Sequence, residues 1–428
     1  LKPRLFQLIW VKGPRSGAPM VLRRRLWPAS LALAAIAYPD FPGREILELN
    51  PWLRTFENGS SSEVVLPDVF LEREMVRYSL EIAPVDRKAL LKLTCSLRCE
   101  LFADGFAAPL ITNDSPYLAV FAELPPGTRQ LHLAVDSRFF GRHTLQQLQY
   151  DWWQPGGVFN PVELHLLRGE IFLRGVRVLP LAFPRVRVEV DIGGSVTAIE
   201  GAMGLALSFD GGEPIGVPDV VEMEVPKPRR WSLEAPELHQ LSVYILDAGG
   251  QVADVLTTRF GLRTLEAREG CVHLNGEPVL LLGANRHHFG PRGAVLSLDE
   301  ILTDVAHLKH LGGNFLRGAH YPQDPRLLDA CDEEGILVWE EALAWQNTAE
   351  ELTDPAWLDM QKSQIRRMLQ SSANHPSVII YGFLNEGASD NPRSSPAYRA
   401  LAAEVRVLDP TRLVGWASSV TTRDLSWD

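Results

Sequence analysis

The sequence has no apolar run long enough to cross a bilayer, and it has no excess of basic side chains. A membrane-spanning helix needs about 20 consecutive, mostly apolar residues, and no segment of this chain approaches that length. The 42 Lys and Arg residues are outnumbered by 53 Asp and Glu, which gives a net charge of −11. Such a chain lacks the cationic surface that releases counterions from nucleic acid phosphates. We therefore predict that neither a membrane nor a nucleic acid is its partner.

Cysteine is also scarce, and its spacing fits no known framework. The residues are Cys95, Cys99, Cys271 and Cys331, and their separations match neither a zinc site nor a set of disulfides. If Cys95 and Cys99 lay on one strand, they would stand about 13 Å apart, which is beyond the reach of a disulfide. All four are predicted to be free thiols, mostly in the core.

What is present is the composition of an ordinary globular protein with more than one domain. The 428 residues are 46% hydrophobic and 22% charged, enough for two or three domains with their own cores. Between about residues 45 and 262, short alternating apolar segments are cut by Gly, Pro and Asp, which is typical of antiparallel strands. We predict two β-sandwich domains, residues 45–166 and 167–262, with a boundary near Leu166–Gly169 after the turn-rich WWQPGGVFNPVEL.

Residues 1–44 are interpreted as a leader or a disordered segment that contains a candidate signal peptide. From Met20 the chain has three Arg residues, an apolar stretch and Ala35-Ile36-Ala37 as a small-x-small cleavage site. The alternative is a first β-strand behind a translated upstream stretch, because Pro28 interrupts the apolar run. The cytoplasm is the favoured location, and secretion or export to the periplasm follows only if the segment is a signal peptide.

From about Leu262 onward, strands and helices alternate, which indicates parallel strands with crossover helices. Five strands are predicted, and the longest helix is expected from about Pro355 to Ser372. A doubly wound sheet is disfavoured because the first strand-to-helix loop, ANRHHFGPRGAVLS, lacks the glycine spacing that holds a pyrophosphate. A (β/α)8 barrel fits better. It would be incomplete, since such a barrel takes about 250 residues and only residues 263–428 are present for it.

Polar residues collect where the predicted barrel strands end, which is where such barrels place their catalytic groups. The apolar strand that begins near Val378 ends abruptly in an amide and a carboxyl group, and a carboxyl group at this rim can protonate a leaving oxygen. The residues after the first four strands are, in order, Asn285, Arg286 and His287; Arg317 and His320; Glu340 and Glu341; and Asn385 and Glu386.

Each candidate also has a purely structural interpretation. The Asn385-Glu386 pair could be a helix N-cap followed by a first-turn carboxylate, and Arg317 could simply pair with Glu341. Trp345 could present its flat apolar face to a ligand or fill the core, whereas Trp339 is expected to be core. Tyr321-Pro322 could be a fixed turn or a substrate contact. Of the adjacent His287 and His288, one is expected to face the site and the other a structural partner.

Several of these stretches, taken in order, resemble glycoside hydrolase family two. The resemblance covers roughly residues 60 to 428 and implies a jelly-roll domain, an immunoglobulin-like domain and a TIM barrel. The stretches are DWWQPGGVFNPVEL from Asp151, WSLEAPELHQL from Trp231, RFGLRTLE from Arg259, Asn285-Arg286-His287, Arg317-Gly318-Ala319-His320-Tyr321-Pro322, Asn374-His375-Pro376-Ser377 and Tyr381-Gly382-Phe383-Leu384-Asn385-Glu386.

The resemblance implies a retaining exo-β-glycosidase, with a β-galactoside as the favoured substrate ahead of a β-glucuronide and a β-mannoside. It assigns the acid/base to Glu386 and contact with the sugar 2-hydroxyl to Asn385. The other residues expected at the sugar are Arg317, His320, His287, Trp345 and Glu341. We also weigh a carbohydrate-binding or structural protein that has lost catalysis, and we leave open whether the full-length protein forms a homo-oligomer.

The resemblance also defines what this chain does not supply. Retention requires a second carboxylate about 5 Å from the first, and the family carries it as a Glu at the end of the seventh strand. The chain reaches only the fifth, so no nucleophile is assigned, and we expect the chain alone to be inactive and poorly soluble. Neither metal nor cofactor is predicted, because the loop Ala344–Gln346 has no carboxylate or imidazole where some galactosidases of the family bind magnesium.

Overall fold

A computed structural model describes residues 44–105, 107–113, 115–138, 152 and 154–418. The predicted leader and signal peptide lie outside the described residues, apart from Arg44. Asp151 and Trp153 of the DWWQPGG stretch lie outside them as well. No helix in the described ranges is both long and apolar enough to span a membrane.

The first β-rich unit consists of two antiparallel sheets around a shared core, with a small two-stranded sheet beside them. The sheets have the orders β1-β12-β6-β9, β3-β2-β5-β10-β7-β8 and β11-β4. Alternate residues of β10 are buried, as expected of a strand with one face on the core. Its strands are β1 Glu45–Glu48, β2 Trp52–Thr55, β3 Ser61–Val64, β4 Asp68–Phe70, β5 Met75–Glu81, β6 Ala89–Leu93, β7 Arg98–Ala103, β8 Ile111–Asn113, β9 Val120–Leu124, β10 Gln130–Asp136, β11 Gly156–Val158 and β12 Glu163–Leu166.

The prediction of four free thiols was wrong for two of them, because Cys95 and Cys99 form a disulfide. The expected separation of about 13 Å assumed that both residues lie on one straight strand. In the structure β6 ends at Leu93 and β7 begins at Arg98. The chain bends between the two cysteines, and their Cα atoms are 6.5 Å apart. Cys271 is exposed and Cys331 is buried, and both are free thiols.

The second β-rich unit is another pair of packed antiparallel sheets, with the orders β13-β14-β17 and β16-β15-β18-β19. Apolar residues of both sheets form one core. The predicted boundary at Leu166–Gly169 begins at the last residue of β12 and ends before the first strand of this unit. Its elements are β13 Phe172–Pro180, β14 Arg185–Gly193, α1 Val196–Gly201, β15 Gly204–Phe209, β16 Ile215–Val217, β17 Val220–Glu224, β18 His239–Leu246 and β19 Val252–Phe260.

A three-stranded antiparallel sheet precedes the barrel, which the sequence analysis did not predict. It comprises β20 Leu265–Arg268, β21 Cys271–Leu274 and β22 Glu277–Val279. Leu274 packs in one cluster with Phe315, Leu337 and Leu413. Each of these three residues is the first residue of a barrel strand. The sheet therefore covers the amino-terminal end of the barrel strands, opposite the predicted site.

The last described part of the chain is a five-stranded parallel sheet with crossover helices, as predicted for part of a TIM barrel. Ser297 and Glu300 form a capping box at the start of α2, and β26 is buried throughout. The elements are β23 Gly283–Arg286, α2 Leu298–His310, β24 Phe315–Gly318, α3 Pro325–Glu334, β25 Leu337–Glu341, α4 Ala349–Leu352, α5 Pro355–Ser372, β26 Val378–Asn385, the 3₁₀ turn Pro392–Ser394, α6 Ser395–Leu408 and β27 Leu413–Ala417.

Candidate functional site

A buried carboxylate, Glu341, organises the polar groups at the carboxyl ends of β24, β25 and β26. Arg317 donates to its Oε1 from Nε at 2.9 Å and from Nη2 at 2.7 Å, and the same Nη2 lies 3.0 Å from Oε2. The His320 ring nitrogen Nδ1 lies 2.9 Å from Oε2. Arg317 Nη2 also reaches Oδ1 of Asn385 at 2.7 Å. Parallel strands place their carboxyl ends at one edge of the sheet, which is why these four residues meet.

The charge of Glu341 is stabilised where it lies. Burial by itself would raise the pKa of this carboxyl group, but the Arg317 guanidinium and then the His320 hydrogen bond lower the pKa overall. The Glu341 side chain is only 1% exposed. The Arg317–Glu341 pair is therefore ionised and held in one geometry. Arg317 does pair with Glu341, as the structural interpretation of this residue expected, and it also contacts Asn385.

Trp339 packs against the Arg317 side chain of this network. The Arg317 guanidinium carbon lies 4.9 Å from the centroid of the indole ring, a distance typical of a cation–π contact. A Cβ atom added to Gly382 would lie 2.2 Å from the indole nitrogen. The glycine of the Tyr381-Gly382-Phe383 run therefore makes room for the Trp339 ring on the neighbouring strand. Trp339 is a core residue, as predicted, and its position also supports Arg317.

Glu386 follows directly after β26, and its carboxyl group is partly exposed. The backbone has a left-handed φ of 51° at this residue, and its N–H donates to the Ala417 carbonyl at the end of β27. Gln346 donates from Nε2 to Oε2 of Glu386 at 3.0 Å. The alternative of a helix N-cap is wrong, because the next helical turn begins only at Pro392.

The loop after β25 runs beside the end of β26. Trp345 and Asn385 form a parallel bridge, in which Asn385 N–H donates to the Ala344 carbonyl at 3.0 Å and Gln346 N–H donates to the Asn385 carbonyl at 2.8 Å. Trp345 is only 6% exposed and belongs to a buried cluster of apolar and aromatic residues. Its ring lies between the loop and the first β-rich unit.

The first β-rich unit brings an aromatic ring to this edge of the barrel. The Trp152 ring stacks on His287, with centroids 5.7 Å apart, and meets His320 and Trp345 edge-on at 5.8 and 5.5 Å. Its indole N–H donates to Gln154 Oε1 at 3.2 Å. His287, His320 and Trp345 thus share one wall with a residue from a distant part of the sequence.

The adjacent His288 points the other way, into a buried polar cluster. Its ring Nδ1 lies 3.2 Å from Arg286 Nη1, and its Nε2 lies 3.8 Å from Asp324. Burial, followed by repulsion from Arg286, lowers the pKa of His288 to about 4. The ring is therefore neutral at physiological pH. Its backbone N–H donates to the Tyr321 hydroxyl at 3.0 Å, and the Tyr321 ring stacks on Tyr117 at 4.3 Å.

Glu340 lies on the opposite face of β25 from Glu341 and does not join the network. The sequence analysis placed both glutamates of this strand among the polar residues at the predicted catalytic edge. Successive side chains of a strand point to opposite faces, so only Glu341 faces Arg317 and Asn385. Burial raises the pKa of Glu340 to about 7. In the described part of the chain its Oε2 has no hydrogen-bond partner.

One cluster of metal-ligating residues occurs among the described residues, and it lies away from this edge. Asp329, Asp332 and His375 bring one ligand atom each within 4.8 Å of one another. Asp332 already accepts hydrogen bonds from the His375 ring at 2.6 Å and from the Ser377 N–H at 3.0 Å. These contacts join α3 to the start of β26 and account for the cluster as a structural link.

Sequence analysis overlooked two residues of the site, Gln346 and Trp152. Gln346 was considered only as a residue that cannot bind a metal, and no local pattern shows that its side chain reaches Glu386. Trp152 was seen only as part of the turn-rich DWWQPGG stretch. Two adjacent tryptophans in a polar turn are an unusual local signal, but the contact of Trp152 with the barrel depends on the packing of two units.

The chain is similar to family 2 glycosyl hydrolases along most of its described length. The family model "Glycosyl hydrolases family 2" matches residues 186–263, and "Glycosyl hydrolases family 2, TIM barrel domain" matches residues 265–427. A β-galactosidase of Aeromonas hydrophila is 32% identical over 62% of this chain. A putative β-glucuronidase of Formosa agariphila is 39% identical over 38% of it.

Solved structures show the same arrangement of units. A family 2 β-galacturonidase from Eisenbergiella tayi, bound to galacturonate, superposes with a TM-score of 0.79 at 25% identity, covering 89% of this chain and 73% of that protein. The chain spans only 28% of the Aeromonas protein and 19% of the Formosa protein. With both family models matching in order over more than half of the residues, the chain belongs to glycosyl hydrolase family 2.

Proposed function

We propose that this chain is part of a retaining exo-β-glycosidase in which Glu386 is the acid/base. The observation that carries the proposal is the position of the Glu386 carboxyl group. It lies partly exposed at the carboxyl end of the fourth barrel strand, beside an amide and a buried ion pair. The carboxyl ends of barrel strands are where the catalytic groups of such enzymes collect.

In the first step of this reaction, Glu386 donates its proton to the glycosidic oxygen while a second carboxylate attacks the anomeric carbon. The bond to the leaving alcohol breaks, and a covalent glycosyl intermediate forms. In the second step, Glu386 removes a proton from water as the water oxygen attacks the same carbon. The configuration is retained and Glu386 recovers its proton. We assign no residue of this chain to the second carboxylate.

The polar network is proposed to bind and orient the sugar. Arg317 occupies the Oδ1 of Asn385, which leaves the Asn385 NH₂ group to donate to a sugar hydroxyl. The Glu341 carboxylate balances the charge of the Arg317 guanidinium, so this ion pair adds no net charge to the site. This arrangement supports roles for Arg317, His320 and Glu341 in holding Asn385, with direct sugar contact made at the exposed edges of Arg317 and His320.

The aromatic wall is proposed to bind the apolar face of the sugar ring. His287, Trp345 and Trp152 lie together beside His320, and flat aromatic faces suit the C–H side of a pyranose. Trp345 is mostly buried, so we assign the larger part of this contact to Trp152 and His287, with Trp345 fixing the Trp152 ring.

A β-galactoside is the proposed substrate, ahead of a β-glucuronide and a β-mannoside. The similar proteins include β-galactosidases, a putative β-glucuronidase and a β-galacturonidase. All of these names describe enzymes that act on β-linked sugars, which supports that substrate class. For the two β-rich units we propose a jelly-roll domain over residues 45–166 and an immunoglobulin-like domain over residues 167–262.

The proposal is tested by assaying the protein from its complete reading frame on a panel of β-glycosides. We expect Glu386→Gln to lower kcat/KM for alkyl glycosides by about 10²- to 10⁴-fold, since these poor leaving groups need protonation. Dinitrophenyl glycosides should lose much less. Glu350→Gln, which changes a carboxylate that is 72% exposed, serves as the matched control. Undiminished turnover of an alkyl glycoside by Glu386→Gln would remove Glu386 from this role.

A further inference from the structure

We infer that Gln346 is a positioning residue for Glu386. Its hydrogen bond determines which of the two Glu386 carboxyl oxygens carries the transferable proton. This inference rests on the proposed function of Glu386. Gln346 lies in the loop after β25, forty residues before Glu386 in the chain, and its Nε2 lies 3.0 Å from Oε2 of Glu386. In the described part of the chain, this is the sole side-chain hydrogen bond that Glu386 makes.

The backbone holds Gln346 at this place independently of its side chain. Asn385 N–H donates to the Ala344 carbonyl, Gln346 N–H donates to the Asn385 carbonyl, and Ala388 N–H donates to the Asn347 carbonyl at 3.0 Å. These three bonds pair the loop with the segment that contains Glu386 on both sides of the contact. The two Cα atoms are therefore fixed relative to each other, and the side-chain hydrogen bond needs little further ordering.

Both residues adopt a backbone conformation that side chains rarely take. The φ angle is 48° at Gln346 and 51° at Glu386, in the left-handed region where glycine is favoured. Non-glycine residues in this region are disfavoured and persist where the surroundings hold them. A glycine would satisfy the loop geometry at position 346 with less strain, so a glutamine there is explained by what its side chain contacts.

The chemistry of an amide determines the consequence for Glu386. The Gln346 NH₂ group donates and does not accept, and the carbonyl oxygen of a carboxylic acid is a better acceptor than its hydroxyl oxygen, so the bond favours the acid form in which Oε2 carries no proton. The proton of the acid form is therefore on Oε1, the oxygen that is free to meet the glycosidic oxygen. In the second step Oε1 takes up the proton from water, and Gln346 gains and loses none.

The test compares Gln346→Met with the wild-type protein, both expressed from the complete reading frame. Methionine keeps the length of the side chain but removes the donor. We expect kcat/KM for an alkyl β-glycoside to fall by roughly 5- to 20-fold, between the effects of losing a hydrogen bond to a neutral and to a charged acceptor, because Glu386 gains its charge only partly in the transition state. We expect kcat/KM for the dinitrophenyl glycoside to change by less than about twofold. Gln240→Met, at an exposed position of the second β-rich unit, is the control and should change neither.

A second variant and a second readout separate positioning from a loss of structure. Gln346→Glu places a carboxylate against Oε2, so the alkaline limb of the pH–rate profile should move to higher pH, with an unchanged thermal unfolding midpoint. Equal losses for both leaving groups, or an unmoved alkaline limb in Gln346→Glu, would overturn the inference. If Glu386→Gln keeps its turnover of alkyl glycosides, the proposed function itself is contradicted. If Glu386→Gln loses activity selectively on alkyl glycosides but Gln346→Met does not, only the inference about Gln346 is contradicted.

Discussion

At the scale of single residues, Arg317 is the side chain on which the candidate site depends most. It contacts both oxygens of Glu341, the Oδ1 of Asn385 and the face of Trp339. A lysine could not make these contacts together, because a planar guanidinium supplies several donors in fixed directions and also stacks on a ring. The orientation of the Asn385 amide is therefore a consequence of the Arg317–Glu341 pair.

We predict that Arg317→Met destabilises the protein by about 3–5 kcal/mol, because it leaves the Glu341 carboxylate buried without a cation. Urea unfolding of the purified protein at neutral pH measures this loss. The matched control is Arg292→Met, which removes a guanidinium that is 60% exposed and lies 3.8 Å from Glu300. Exposed pairs contribute at most about 1 kcal/mol. Similar losses for the two variants would contradict the account of a buried pair.

At the scale of elements, β25 carries two adjacent glutamates into two different environments. Glu341 faces the barrel interior and is paired, whereas Glu340 faces the helices outside the sheet, near Ser372, His375 and Arg412. Burial raises the pKa of Glu340 to about 7, against an ordinary value of 4.5. Successive side chains of a strand point to opposite faces, so Glu340 and Glu341 lie in different surroundings. These surroundings shift their pKa values in opposite directions.

The raised pKa of Glu340 predicts a loss of stability as the pH rises. Above the ordinary pKa of 4.5 the unfolded chain releases this proton, while the folded chain keeps it until about pH 7. The free energy of unfolding should therefore fall over this interval, by about 3 kcal/mol at most. Urea midpoints measured between about pH 5 and pH 8 give the slope.

The variant Glu340→Gln should remove this contribution and flatten the pH dependence. His375 acts in the same direction: burial lowers its pKa, but Asp332 raises it overall. The stability from His375 is present below its ordinary pKa and is lost as the pH rises through the folded pKa. The difference between wild type and Glu340→Gln isolates the glutamate, with the exposed Glu277→Gln as control. An unchanged slope in Glu340→Gln would contradict the account.

The elements that the sequence predicts best are those with a complete local signal. The long helix was predicted from Pro355 to Ser372 and is found there, because Asp354 and Pro355 start it and an apolar stripe continues along it. The sheet β20–β22 was missed because its strands are three or four residues long and show little alternation. The Cys95–Cys99 disulfide was missed because the bend between β6 and β7 is set by sheet pairing rather than by local sequence.

The site was predictable to the extent that strand ends identify it. The apolar runs identified the strands, and parallel strands bring their ends together. At those ends lie Arg317, Glu341 and Asn385, with His320 just beyond one of them. The Gln346 contact depends on the path of a loop, and the Trp152 contact depends on how two units pack. Neither is encoded in the periodicity of one segment, so sequence alone did not predict them.

At the scale of the whole molecule, both β-rich units pack against the barrel, and the first of them contributes a side chain to the candidate site. Trp152 from the first unit forms part of the aromatic wall. From the barrel, Asn374 accepts from Val178 N–H at 2.7 Å and donates to the Val176 carbonyl at 2.8 Å, both in the second unit. The Asn374-His375-Pro376-Ser377 run thus links the second unit to the strand that ends at Asn385, directly before Glu386.

The central claim is that Glu386 is the acid/base of a retaining glycosidase, and azide rescue tests it most directly. In Glu386→Ala, made in the complete reading frame, azide can replace water in the second step because it needs no general base. We predict that azide accelerates turnover of a dinitrophenyl β-glycoside and that NMR identifies the product as the β-glycosyl azide. An absence of rescue, or an α-glycosyl azide as product, would contradict the assignment.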